Sequence, residues 1–247
     1  MRKGLLNLAS FALILCIVLP TSLLAQMGGG GGGSSNIEGN KVENTPHNLR
    51  KATTNGMGLQ DWGEICVYCH TPHNNNTDIE APLWNRETPT GPYVMYSSNT
   101  IDMTIANAPQ GVSLACLSCH DNTIALDQII NVPTAKFGSA ASGVTINYCA
   151  TTCHVGQSPA GGVNFEGTNI GTDLSNDHPI SITYDPALDP NFHPATDGKV
   201  GGILPLYGPN KDQVECASCH NPHDNSRRPF LRMDNTNSAL CLTCHDI

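Results

Sequence analysis

The sequence predicts a loop-rich fold of low secondary-structure content, in which short helices carry cysteine motifs and bound groups replace an ordinary apolar core. Three observations lead there. Glycine (24) and proline (17) are plentiful, while aromatic residues make up only 5% of the 247. No long stretch shows helical or strand periodicity. Ten of the 11 cysteines fall in five close pairs, each followed directly by histidine. A chain of this composition cannot close an apolar core from its own side chains. It needs covalent or coordinate staples.

The pairs identify the staple. Four read Cys-x-x-Cys-His: Cys66/Cys69/His70, Cys116/Cys119/His120, Cys216/Cys219/His220 and Cys241/Cys244/His245. The fifth, Cys149/Cys153/His154, carries one extra residue. Each is an attachment signature for c-type haem. Two thiols one short turn apart can add to the two vinyl groups on one porphyrin edge. The next residue then lies under the iron and offers a nitrogen. Zinc half-sites and disulfides are the alternatives, but neither requires histidine directly after the second cysteine. The expected fold is therefore a multihaem c-type chain whose core is made of haems, and whose apoprotein is unfolded. The stretched pair is open to a second reading, as a disulfide; the chain then holds four haem c groups instead of five.

Histidine supplies the second half of the argument. There are ten, and five stand inside the motifs. His47, His73, His178, His193 and His223 remain. Five irons offer ten axial positions, so the count suits bis-histidine ligation throughout. Two readings compete: some of the five are surface residues, or a methionine (Met27, Met57, Met95, Met103 or Met233) takes a sixth position. The setting favours ligands. His73 and His223 each follow a motif as Cys-His-x-Pro-His, where the rigid proline turns the second ring away from the first. His178 and His193 precede prolines, which favours extended, loop-borne presentation. His47 lies in Thr-Pro-His-Asn.

The elements follow in chain order. Residues 1–25 read as a secretory signal peptide, with Arg2 and Lys3 before an apolar run and a cut after Ala25. A membrane anchor is the competing reading, but the run is short for a span. Residues 26–46 form a Gly-rich flexible segment containing the run Gly28–Gly33. Residues 47–247 read as one multihaem domain. Short helices are expected at 111–120 and 237–245, the second with Asn237 or Ser238 as its cap. Residues 179–184 alternate like a short strand. Motif starts are separated by 50, 33, 67 and 25 residues, so no exact repeat exists.

Net charge is −9, and falls to −11 once Arg2 and Lys3 are removed. Non-specific nucleic-acid binding is thereby disfavoured. Basic partners, metal cations and mineral surfaces suit such a surface.

The segments 66–74, 115–127, 173–179, 216–223 and 241–245 together resemble the small extracellular multihaem cytochromes of metal-respiring bacteria and some archaea. The likeness is strongest to the tetrahaem type that polymerises into conductive filaments. The resemblance implies bis-histidine haems in single file and electron transfer without catalysis. It also implies a secreted location and homopolymeric self-association, with other electron-transfer proteins and extracellular metal or mineral acceptors as partners. One axial histidine would cross to the adjacent subunit, with His73 the first candidate and His47 the reserve. The Cys149–His154 motif departs from the tetrahaem pattern. A periplasmic shuttle and a multihaem reductase are the other classes. No Cys-x-x-Cys-Lys marks a substrate-binding haem, and ten ligands for ten positions leave no open iron.

Overall fold

The computed structural model describes residues 41–50, 63–124, 129–131 and 168–246. The leader, the glycine run and the Cys149–His154 motif lie outside the described residues. Three helices carry motifs: α1 (Ser113–His120), α2 (Cys216–Cys219) and α3 (Ala239–Cys244). The first motif sits on a single-turn 3₁₀ helix, Cys66–Tyr68. Five two-residue strands complete the regular structure. β1 (Ile182–Thr183) pairs antiparallel with β5 (Gln213–Val214). β2 (Ala195–Thr196), β3 (Lys199–Val200) and β4 (Leu204–Pro205) form a small antiparallel meander. Apart from 3₁₀ turns at Val42–Asn44 and Thr236–Ser238, the rest of the described residues are loop, as composition predicts. Among the described residues, no helix is long and apolar enough to cross a membrane.

Local chemistry accounts for these pieces. β2 turns into β3 at Asp197-Gly198, both with positive φ (52° and 70°). That is the left-handed pair which a two-residue hairpin matching strand twist demands. α1 ends where the Asp121 N–H donates to the Leu117 carbonyl (3.1 Å). The Asp121 carboxylate then takes the Thr123 N–H (2.9 Å) and the Tyr93 hydroxyl. At α3 the expected cap is corrected. Asn237 and Ser238 both adopt positive φ, and the Ser238 side chain makes no capping bond. Asn235 Oδ1 instead accepts the Leu240 N–H (3.1 Å). The expected strand at 179–184 contracts to Ile182–Thr183, because only those two residues find a ladder partner at Val214 and Gln213.

Packing is confined to small clusters. One gathers Ile79, Ala81, Trp84 and Ala115, with Cys69 against it; another gathers Tyr184, Val200 and Leu206, with Cys244 against it. Each therefore packs against a half-buried attachment cysteine. A polar network joins α1 to α2. Fully buried Glu215 accepts through Oε2 from the Ser113 hydroxyl and from the Ser181 hydroxyl (3.0 Å). Ser113 Oγ in turn accepts the Cys216 N–H (2.9 Å). Two attachment helices and β1 are thus tied by one carboxyl group, which sequence inspection does not pick out.

Candidate haem-binding sites

In each described motif the backbone coils so that both thiols and the histidine lie within one turn. The His70 N–H reaches the Cys66 carbonyl (2.8 Å), the His220 N–H reaches Cys216 (3.1 Å), and the His245 N–H reaches Cys241 (2.9 Å). A return segment then runs antiparallel beside the motif. Residues 82–86 accompany 69–71, through Thr71 N–H to the Leu83 carbonyl (2.8 Å) and Asn85 N–H to Cys69 (2.9 Å). The same device recurs where Arg232 N–H donates to Cys219 (2.9 Å).

These return segments fix the imidazoles. His70 Nδ1 donates to the Pro82 carbonyl (2.6 Å), His120 Nδ1 to Thr168 (2.8 Å) and His220 Nδ1 to Pro229 (2.8 Å). Two histidines outside the motifs are held alike, His47 by the Pro222 carbonyl (3.1 Å) and His178 by the Pro179 carbonyl (2.9 Å). A carbonyl on Nδ1 keeps the proton there and leaves Nε2 as a lone-pair donor, the usual arrangement for a metal-ligating histidine.

The rings then meet in twos. His70 and His223 have centroids 6.1 Å apart, His120 and His47 6.3 Å, and His245 and His178 6.4 Å. A metal–imidazole bond of about 2 Å, plus about 1.15 Å from nitrogen to ring centre, separates two trans imidazole centres by about 6.3 Å. The three pairs therefore fit an iron held between them. Among the described residues, no three or more of His, Cys, Asp and Glu converge as a metal site. His73, His193 and His220 make no ring contact with another histidine among the described residues; His73 is exposed.

Partial desolvation favours the neutral form of three of the paired rings. Desolvation lowers the pKa of His47, with His120 and His223 adding to it against the Pro222 carbonyl. Burial, then neighbouring His70, lowers His223; burial, then His178, lowers His245. Each stays uncharged to lower pH than a free histidine.

The thiols show which motifs adjoin. Burial pushes Cys69 up to about 12, with Cys119 its next neighbour. Burial likewise takes Cys219 up to about 11, with Cys244 next. The Cys116 and Cys216 thiols shift each other, Cys116 up and Cys216 down. The first motif thus lies by the second, the second by the fourth, and the fourth by the last. Beside His70, at 5.7 Å, buried Trp84 presents an indole N–H with no acceptor among the described residues. A haem carboxylate would satisfy such a donor.

Sequence reasoning missed Phe230 and Phe192, which lie 4.4 Å from the His47 and His245 rings respectively. It also missed the prolines whose carbonyls fix His70 and His220. A proline some ten residues beyond a Cys-x-x-Cys-His is the one signal that could have flagged these.

Residues 208–247 match the family model described as a doubled CXXCH motif. No curated protein matches the chain. The matched stretch holds the motifs ending at His220 and His245. It indicates a multihaem c-type cytochrome with covalent haem, and points to electron transfer rather than catalysis.

Proposed function

We propose that this chain is a bis-histidine, five-haem cytochrome that carries electrons outside the cell and polymerises head to tail into a conductive filament. The observation that carries the ligation is the set of three histidine pairs at 6.1, 6.3 and 6.4 Å. In this reading the five cysteine pairs hold haem through thioether bonds. His70 with His223, His120 with His47, and His245 with His178 take both axial positions of three irons. His220 and His154 draw their partners from His193 and His73. His193 lies against the last motif, its N–H donating to the Cys244 carbonyl (2.9 Å). His73, which faces no other histidine ring among the described residues, is the ligand that crosses to the next subunit.

Bound haem supplies reversible one-electron chemistry at iron. The protein's part is to keep neighbouring attachment motifs adjacent, as the mutual influence of Cys69 with Cys119, Cys116 with Cys216 and Cys219 with Cys244 indicates. Carbonyls on Nδ1 of His47, His70, His120, His178 and His220 would keep the Nε2 of each free to bind iron. Irons filled on both sides by imidazole leave no place for a substrate. The acidic surface suits release to cationic or mineral acceptors. Export follows from the leader and from haem attachment outside the cytoplasmic membrane. A heterologous contact that does not close builds a fibre.

Electron cryomicroscopy of the secreted, haem-loaded protein tests the reading. The expected result is filaments with five haems per subunit and a neighbour's histidine on one iron. Monodisperse particles would replace the filament with a soluble shuttle. Four haems, with Cys149 and Cys153 bridged, would remove the fifth.

A further inference from the structure

The segment carrying His47 is docked by a single loop. Lys41 bridges Asp224, the His47 Nδ1–H donates to the Pro222 carbonyl (3.1 Å), and Phe230 stacks on the His47 ring at 4.4 Å and 27°. All three contacts come from residues 222–230, directly beyond the motif that ends at His220. Phe230 itself sits at φ 60°, a left-handed conformation costly for a bulky side chain. Two bonds hold it there. Its N–H donates to Asn225 Oδ1 (2.9 Å), and its carbonyl accepts the Asn221 N–H (2.7 Å). A glycine would adopt this backbone without penalty, but would present no ring. What the strained position achieves is to lay an aromatic face on a histidine ring that is also held by a hydrogen bond to the Pro222 carbonyl.

We infer that Phe230 is a positioning residue for His47, so that the loop of the fourth motif governs the sixth ligand of the second motif's iron. The inference rests on the proposed pairing of His47 with His120. Without the ring, the His47 side chain keeps the Pro222 carbonyl but loses the aromatic face that fixes its plane, and swings off the axis. The iron at His120 then becomes five-coordinate and open to exogenous ligands. Asn225 and Asn221 act one step further back, by fixing Phe230.

The test uses the full haem-loaded protein with Phe230→Ala, Phe230→Leu, Phe230→Tyr and His47→Ala. Two readouts are taken, the ferric high-spin signal by electron paramagnetic resonance and carbon monoxide uptake by the reduced protein. His47→Ala should open one haem per chain in both. Phe230→Ala should gain carbon monoxide binding toward that same one equivalent, Phe230→Leu should fall between, and Phe230→Tyr should match wild type. If His47→Ala opens one haem while Phe230→Ala and Phe230→Leu remain wholly low-spin, Phe230 has no positioning role. If His47→Ala opens none, the pairing beneath the inference is wrong and both fall. Phe230→Leu keeps the loop apolar, so a folding failure of the alanine variant still leaves a decisive comparison.

Discussion

Two stretches of this chain share one pattern and end in different places. Cys66–Asn74 and Cys216–Asp224 both run Cys-x-x-Cys-His-x-Pro-His. The second histidine of the later repeat, His223, lies nearly parallel to His70 at 6.1 Å and 20°. The corresponding residue of the earlier repeat, His73, faces no histidine ring among the described residues, though both histidines are exposed. The residue between histidine and proline contributes. Asn221 Oδ1 accepts the His223 N–H (3.1 Å), whereas Thr71 Oγ1 donates to the His73 carbonyl (3.0 Å). Asn131 adds a second grip on the same His73 carbonyl (2.7 Å). Opposite ends of the two histidines are therefore held. A proline-spaced histidine is offered as a ligand by its sequence, but its iron is chosen by whatever holds its backbone.

The largest effect should come from removing the later histidine. His223→Ala should leave the iron at His70 five-coordinate, with one equivalent of carbon monoxide bound per reduced chain. His73→Ala should leave the spectrum of the isolated subunit unchanged and abolish filaments seen by electron microscopy. Filaments that survive His73→Ala would mean the two repeats differ for some reason other than assembly.

The ring angles sharpen the contrast without mutation. The His70–His223 planes are 20° apart, but those of His47–His120 and His178–His245 are 76° and 68° apart. Axial-ring orientation sets the anisotropy of low-spin ferric haem. The oxidised protein should therefore show a rhombic signal lost in His223→Ala, beside strongly anisotropic signals that persist.

A smaller effect concerns what precedes each repeat. Ile65 stands before the first, but Glu215 stands before the second, where burial pushes its carboxyl from 4.5 up to about 7 against the pull of Ser113 and Ser181. A raised folded-state pKa means that this stability is complete below about 4.5 and is lost as pH rises through about 7. Melting temperature should fall between pH about 4.5 and about 7 in the wild type, and more gently in Glu215→Gln, by about 2 to 4 °C per kcal/mol. Equal slopes would remove Glu215 from the account. Smallest of all, Asn221→Thr should cost about 1 kcal/mol through one lost hydrogen bond. It should shift the midpoint of the iron at His70 slightly, as followed by spectroelectrochemistry.

The attachment motifs were legible because thioether and axial bonds act within one turn, so the chemistry must be written at fixed local spacing. Short helices were legible for the same reason. The cap at Asn235, and the role of Phe230, were not, since neither leaves a local pattern. Glu215 looked like any acidic residue until Ser113 and Ser181 were brought to it across the fold.

By itself the sequence determined the covalent chemistry: which cysteines and histidines are offered, and how scarce ordinary core would be. Only the tertiary structure decided which histidine faces which, which motifs adjoin, and that His73 faces no histidine ring among the described residues. The physical reason is distance along the chain. An attachment site closes within five residues, but His47 and His120, or His70 and His223, meet only after loops between them have been ordered by carbonyls, packed rings and one buried carboxyl group.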